Sequence, residues 1–222
     1  MGTTLVIFAL NEIDSARNLF DRIPFDKVNE FFVIDGGSND GTVEFFQDKG
    51  VTVIKQEVPG HGEAYKLGIR KATQDIIVFF GCDGNNQPED IPALIKEVNN
   101  GNDLVIASRF GKGSQTFDAT FIRRLGNLFF VFLVNMRWHA GLTDVFNEFR
   151  AIKKESMEKL GLENRYFDLE LEMVIKAIKN NLRIGEIPTI EQRRISGKGK
   201  LSTVRDGLMN LRCFIKEAFT KH

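Results

Sequence analysis

Cysteine is scarce in this 222-residue chain. Cys82 and Cys213 are the two, far apart and without metal-ligand spacing. That excludes a disulfide-stapled scaffold and points to a reducing compartment. Net charge is missing as well: Lys+Arg and Asp+Glu are both 30, whereas a nucleic-acid-binding protein carries a basic excess. No apolar run reaches the roughly 18 to 20 residues that span a bilayer. The first apolar run has no basic segment ahead of it and passes at once into Asn11-Glu12, so it reads as a strand and not a signal peptide. Val6 stands where N-myristoylation needs Ser or Thr. There is no internal repeat and no low-complexity segment. Several signatures are absent too. No G-x-G-x-x-G follows the first strand, which excludes the dinucleotide fingerprint, and no G-x-x-x-x-G-K-[ST] occurs, which excludes a phosphate-loop NTPase. No G-x-S-x-G elbow or Ser/His/Asp arrangement is present.

What is present is an ordinary globular composition, 42% hydrophobic and 27% charged. Short apolar runs recur at 5–10, 31–34, 51–54, 75–80 and 103–107. Helical spacing fills the intervals, through 20, over 42–49, over 62–72 and over 88–98, the last with Pro88 in its first turn and Glu89-Asp90 at the positive end of its dipole. Strands that are apolar almost throughout and alternate with helices predict an α/β fold, a mostly parallel central sheet with helices on both faces. Beyond residue 108 the alternation breaks. Residues 111–118 read as a mobile polar loop. Residues 121–138 read as an apolar helix with Arg123 and Arg124 at one end and Arg137, Trp138 and His139 at the other. Two readings of it stand: a buried core helix, or a helix lying at a membrane surface on basic and aromatic anchors. Residues 143–152 return to the sheet, 156–160 and 166–177 are helices, and 182–188 is an edge strand ended by Pro188. The basic stretch 192–200 is expected to be flexible, and 203–219 to form an amphipathic terminal helix.

The chemistry gathers at strand ends. The run 75–80 stops abruptly in Gly81-Cys82-Asp83-Gly84-Asn85-Asn86, which cannot continue a strand. Asn11-Glu12, Asp35 and Asp144 occupy comparable places. Any one alone is most simply a turn cap. Several after successive parallel strands converge, and such oxygen ligands suit Mg²⁺ or Mn²⁺ holding a diphosphate. Gly60-His61-Gly62 opens a helix and offers backbone N–H groups to a phosphate. His61 reads as a turn residue or ligand contact before it reads as a base. Arg109 directly after a strand needs a partner, for which a phosphate is natural. Arg123-Arg124 and Arg193, Arg194, Lys198 and Lys200 read as solvated surface. Cys82 beside Asp83 makes a poor thiolate.

These residues resemble family 2 glycosyltransferases, the inverting kind with a GT-A fold, and within them the branch of dolichyl-phosphate mannose synthase and the polyprenyl-phosphate glycosyltransferases. The likeness covers residues 4–208. Ala9-Leu10-Asn11-Glu12 matches P-A-L-N-E, with Phe8 in place of proline. Val33-Ile34-Asp35-Gly36-Gly37-Ser38-Asn39-Asp40-Gly41-Thr42 matches V-V-D-D-G-S-x-D-G-T. Gly60-His61-Gly62-Glu63-Ala64 matches G-K-G-x-A, and Ser108-Arg109 matches S-R. Asp144 with Phe149-Arg150 matches D-x-x-x-G-F-R. Glu186-Ile187-Pro188 and the run through Lys200-Leu201 match E-V-P and G-x-S-K-L.

The resemblance implies a metal-dependent enzyme with a catalytic domain over 1–208, including the apolar helix at 121–139, and a C-terminal helix over 203–222. It would move a sugar from a GDP- or UDP-linked donor to a polyprenyl or dolichyl phosphate. Leu10, Asn11, Glu12, Asp35, Gly60 and Gly62 would hold the nucleotide sugar. Asp83, the last aspartate of D-x-D, would ligate Mg²⁺ or Mn²⁺ with Asn85. Arg109, Arg123 and Lys200 would lie near the acceptor phosphate or the departing diphosphate. Asp83, Arg109 and Asp144 would be the catalytic residues, Asp144 acting as base should the acceptor be a hydroxyl. No nucleic-acid partner is implied, and the enzyme would be cytoplasmic, or peripheral on the cytoplasmic face of the membrane. Three departures stand out: Gly81 replaces the first aspartate of D-x-D, Gly36 the second of the paired aspartates, and Glu148 the glycine before Phe149. The first two remove negative charge near a metal. Rival readings are a soluble hydroxyl acceptor, a nucleotidyltransferase, and an inactive nucleotide-sugar-binding homologue.

Overall fold

A computed structural model describes residues 1–195 and 202–220. Lys200 lies outside the described residues. The first half alternates strand and helix: β1 (Thr3–Ala9), α1 (Ile13–Leu19), β2 (Glu30–Asp35), α2 (Thr42–Asp48), β3 (Val53–Lys55), α3 (His61–Lys71), β4 (Ile76–Gly81), α4 (Ile91–Asn99) and β5 (Leu104–Ser108). The second half adds β6 (Gln115–Thr116), α5 (Phe121–Trp138), β7 (Arg150–Lys153), α6 (Lys154–Leu160), α7 (Leu169–Lys179), β8 (Ile184–Pro188), β9 (Ile190–Glu191) and α8 (Thr203–Phe219).

Seven strands form one sheet in the order β3-β2-β1-β4-β7-β5-β8. Its pairings are parallel except those of β7, which runs antiparallel between β4 and β5. Strand β1 is buried along its whole length, and its side chains alternate between two cores, as the period of a strand requires. Leu5, Ile7 and Ala9 pack with Ala16, Leu19, Phe46, Ile91 and Leu94. Val6 and Phe8 pack with Ala64, Tyr65, Phe130, Leu169 and Val174 on the other face. Close approach of α3 to β1 depends on Gly68, where a Cβ would stand 2.8 Å from Val6 Cγ1.

The topology fixes where a ligand binds. The chain steps from β1 to β2 and β3 on one side, then returns to β4 on the other side of β1. The carboxyl ends of β1 and β4 therefore flank a switch point, the usual crevice for ligands in such sheets. Leu10 to Glu12 leave one end of it and Cys82 to Asn85 the other.

Three expectations are corrected. Residues 111–118 are not wholly irregular, because Gln115 and Thr116 pair with Ile190 and Glu191 in a small parallel sheet. Residues 192–195 are held, not flexible: the Gln192 and Ile195 N–H groups donate to the carbonyls of Asn85 and Asp83. Helix α5 is not a buried core helix. Asn127, Phe130, Val131 and Val134 are buried, while Phe121, Leu125, Phe129, Phe132 and Met136 lie exposed at helical spacing. No helix among the described residues is long and apolar enough to cross a membrane.

Candidate active site

A cleft of about 610 Å³ opens at the switch point. Leu10 and Glu12 line it from the end of β1, and Gly81, Cys82, Asp83 and Asn85 from the end of β4. Gly60 and His61 enter from the start of α3, Glu148 from the approach to β7, Arg109 from the end of β5, Arg123 from α5 and Arg194 from the segment after β9.

Asp83 sits where the sequence puts it. Its Oδ1 accepts from the Asn85 N–H at 3.0 Å and its carbonyl accepts from Ser15 Oγ at 3.2 Å. Its Oδ2 receives Arg194 Nη2 at 2.6 Å, while Arg194 Nη1 donates to Glu12 Oε1 at 2.7 Å. Burial works against the Arg194 charge, yet the Asp83, Glu12 and Glu148 carboxylates hold it firmly protonated. A cation thus rests among carboxylates from three elements. Asn85 lines the cleft too, its Nδ2 donating to the Gln192 carbonyl at 2.6 Å. Among the described residues no group of three or more His, Cys, Asp or Glu side chains encloses a metal.

Glu148 and His61 form a cluster the sequence did not announce. His61 Nε2 lies 2.8 Å from Glu170 Oε1 and 3.4 Å from Glu148 Oε2, and its ring stacks on Phe167 at 4.7 Å. Burial opposes the His61 charge, but Glu170 and Glu148 outweigh it and raise its pKa. Burial, then the neighbouring Asp83, push the Glu148 carboxyl up to about 7. Cys82 is buried, and burial together with Asp83 holds its thiol far above the usual range, so it is no nucleophile.

Arg109 has the partner expected of it, but in this structure the partners are carboxylates. Nε and Nη2 grip Asp144 Oδ2 and Oδ1 at 2.7 and 3.0 Å, and Nη1 reaches Glu191 Oε1 at 3.1 Å. Asp144 is fully buried and stands behind Arg109, outside the cleft lining. Burial alone would raise its carboxyl, but the Arg109 charge and hydrogen bonds hold it below the ordinary carboxylate range. Arg123 is less engaged, with Asp118 Oδ2 at 3.9 Å.

Three other expected site residues make hydrogen bonds within the scaffold. Asp35 accepts from the Gly37 N–H at 2.8 Å and from the Ser38 N–H, and it does not line the cleft. Asn11, at φ 56, receives the Asn39 N–H on Oδ1 and donates its own N–H to Ser38 Oγ, which ties the β1 and β2 turns together. The Gly62 N–H donates to the Arg165 carbonyl at 2.9 Å, so it is not offered to a phosphate. A Cβ there would stand 2.7 Å from the Asn164 carbonyl. Glu148 was legible only as a departure from a family pattern, and Arg194 only as one of a basic run.

Beside the cleft, a smaller cavity of about 180 Å³ lies between α5 and α8, lined by Arg109, Arg123, Gly126, Phe130, Phe146 and Gly207 among others. Asn127 also faces it, with both amide atoms buried and unpartnered among the described residues.

With this geometry in place, comparison gives the family. The model of glycosyl transferase family 2 matches residues 4–161. A dolichyl-phosphate hexose transferase of Haloferax volcanii is 30% identical over 172 residues, 77% of this chain and 73% of that one. An uncharacterized glycosyltransferase of Mycobacterium tuberculosis is 27% identical over 201 residues, 90% of each chain. In structure, the chain is similar to glucosyl-3-phosphoglycerate synthase of Mycobacterium tuberculosis, solved with Mn²⁺, UDP-glucose and phosphoglyceric acid. The TM-score is 0.78 at 20% identity, over 100% of this chain and 81% of that one. The fold is thus the α/β GT-A architecture. The chain belongs to glycosyl transferase family 2 and is a glycosyltransferase.

Proposed function

We propose that the enzyme transfers a sugar from a GDP- or UDP-linked donor, with inversion at the anomeric carbon, to a polyprenyl phosphate. The observation that carries the acceptor class is the exposed apolar stripe of α5, Phe121, Leu125, Phe129, Phe132 and Met136, on a helix whose other face, with Arg123, lines a cavity that Arg109 also lines. A lipid phosphate needs both: an apolar surface for the chain and cations for the headgroup. The dolichyl-phosphate hexose transferase among the relatives supports the same reading.

The donor would lie across the switch point. Leu10 and Glu12 line its nucleotide end, and Asp83 faces its diphosphate. The residues fit a divalent cation, since Glu12 and Asp83 already converge on one positive charge, that of Arg194. Bound Mg²⁺ or Mn²⁺, of the kind present in the synthase, would neutralise charge developing on the leaving diphosphate. Asp83 would hold the cation once Arg194, now on its Oδ2 at 2.6 Å, released it, and the freed guanidinium would then be available to the diphosphate oxygens. Arg123 holds the acceptor phosphate. Asp144 acts as a positioning residue that fixes the Arg109 fork. A phosphate acceptor is already an anion and needs no base, which suits a cleft that Asp144 does not line.

The test is transfer of labelled sugar from GDP- and UDP-sugars to polyprenyl phosphate in vesicles, with phosphoglyceric acid as the soluble competitor. Label extracted into organic solvent supports the reading. Label confined to a water-soluble product refutes the lipid acceptor and favours a hydroxyl one.

A further inference from the structure

Two departures from the family pattern meet in space. Position 81, expected to be acidic, is glycine, and position 148, expected to be glycine, is glutamate. Antiparallel pairing sets Phe79 opposite Arg150. Carrying that register two residues onward brings Glu148 beside Gly81. The fit is steric as well as topological: a Cβ on Gly81 would run into the Glu148 carboxylate, with Cδ 2.7 Å away. Glycine at 81 is what leaves room for the glutamate.

We propose that Glu148 supplies, across the β4–β7 pair, the carboxylate that position 81 lacks, so that Asp83 and Glu148 together face the divalent cation of a bound nucleoside diphosphate. This rests on the nucleotide-sugar reading above. The carboxylate is held for such work. The Glu148 carbonyl accepts from the Tyr65 hydroxyl at 3.1 Å, its Oε2 lies 3.4 Å from His61 Nε2, and His61 is anchored by Glu170 at 2.8 Å. Its side chain keeps 21% exposure and lines the cleft beside Asp83. The absence of a closed ring of protein ligands among the described residues suits a cation that brings phosphate oxygens and water with it. Magnesium is typically held by one or two carboxylates plus substrate phosphates. The negative charge missing from the end of β4 is therefore restored from a different element.

The test measures Mn²⁺ binding by paramagnetic resonance on the full chain, with UDP and GDP and, in separate samples, with UDP- and GDP-sugars. The variants are Glu148→Gln, Glu148→Gly, Gly81→Asp/Glu148→Gly and Asp83→Ala, each checked for folding by circular dichroism. E148Q and E148G are expected to weaken Mn²⁺ binding about tenfold or more. The double variant should recover most of the loss, because aspartate at 81 then occupies the space the glutamate leaves. If the double variant does not fold, E148Q decides alone. Wild-type Mn²⁺ affinity in E148Q, or a loss seen only with intact UDP- or GDP-sugars, overturns the proposal. The second result would make Glu148 a sugar contact. Loss in D83A with none in E148Q overturns the pairing and leaves the nucleotide-sugar reading standing. No Mn²⁺ binding by the wild type with either nucleotide overturns both.

Discussion

Replacing Asp144 with asparagine removes one charge and keeps the shape. The perturbation falls on a bidentate pair whose carboxylate is fully buried and whose guanidinium side chain is 16% exposed. Removing one partner of a buried ion pair costs about 3–5 kcal/mol, because the other charge stays buried. Here the introduced amide would retain an acceptor oxygen, and Glu191 still reaches Arg109 Nη1 at 3.1 Å, so the cost falls at or just under the lower end of that scale, about 2–3 kcal/mol. For 222 residues each kcal/mol is worth about 2 °C. The expected loss is about 4–6 °C in Tm at pH 7, read by circular dichroism. The sign with pH follows from the depressed Asp144 pKa. The stabilisation is fully present above the unfolded carboxyl value of about 4 and is lost as pH falls through the folded value. The gap between wild type and D144N should therefore hold from about pH 6 to 8 and close in acid. A Tm change under about 1 °C at pH 7, or a gap that persists as Asp144 is protonated, refutes the reasoning.

Gly68→Ala places a methyl group 2.8 Å from Val6 Cγ1 and should destabilise by about 1–3 kcal/mol in urea unfolding, without altering metal binding. Phe132→Asp alters a side chain that is 61% exposed. It should leave stability within about 0.5 kcal/mol of the wild type yet lower sedimentation with anionic vesicles about tenfold, the worth of burying one Phe side chain. Unchanged vesicle binding would contradict the proposed membrane contact through α5.

The central strands and their crevice were legible because doubly buried parallel strands write themselves as short apolar runs, and the turns that end them must carry Gly, Asn and Asp. Asp83 and Glu12 were found in that way. Glu148 and Arg194 were not. Glu148 reaches Gly81 through an antiparallel insertion, and Arg194 reaches Asp83 after the β6–β9 pairing returns the chain to the cleft. Neither pairing has a periodicity that sequence exposes. Asp35 and Asn11 make turn hydrogen bonds in this structure. Turn caps and ligand-binding groups use the same side chains, and only hydrogen-bond partners separate them. Helix α5 is apolar on nearly every side, so its pattern could not say which stripe the sheet covers. Arg109 was read correctly as needing a partner, but a carboxylate met the need.

The most direct measurement is the manganese anomalous signal from crystals soaked with Mn²⁺ and a nucleoside diphosphate. The account predicts one strong peak about 2.2 Å from an Asp83 carboxylate oxygen, with Arg194 moved off that oxygen. A peak outside the crevice between β1 and β4, or Arg194 still seated on Asp83 with the nucleotide bound, contradicts it.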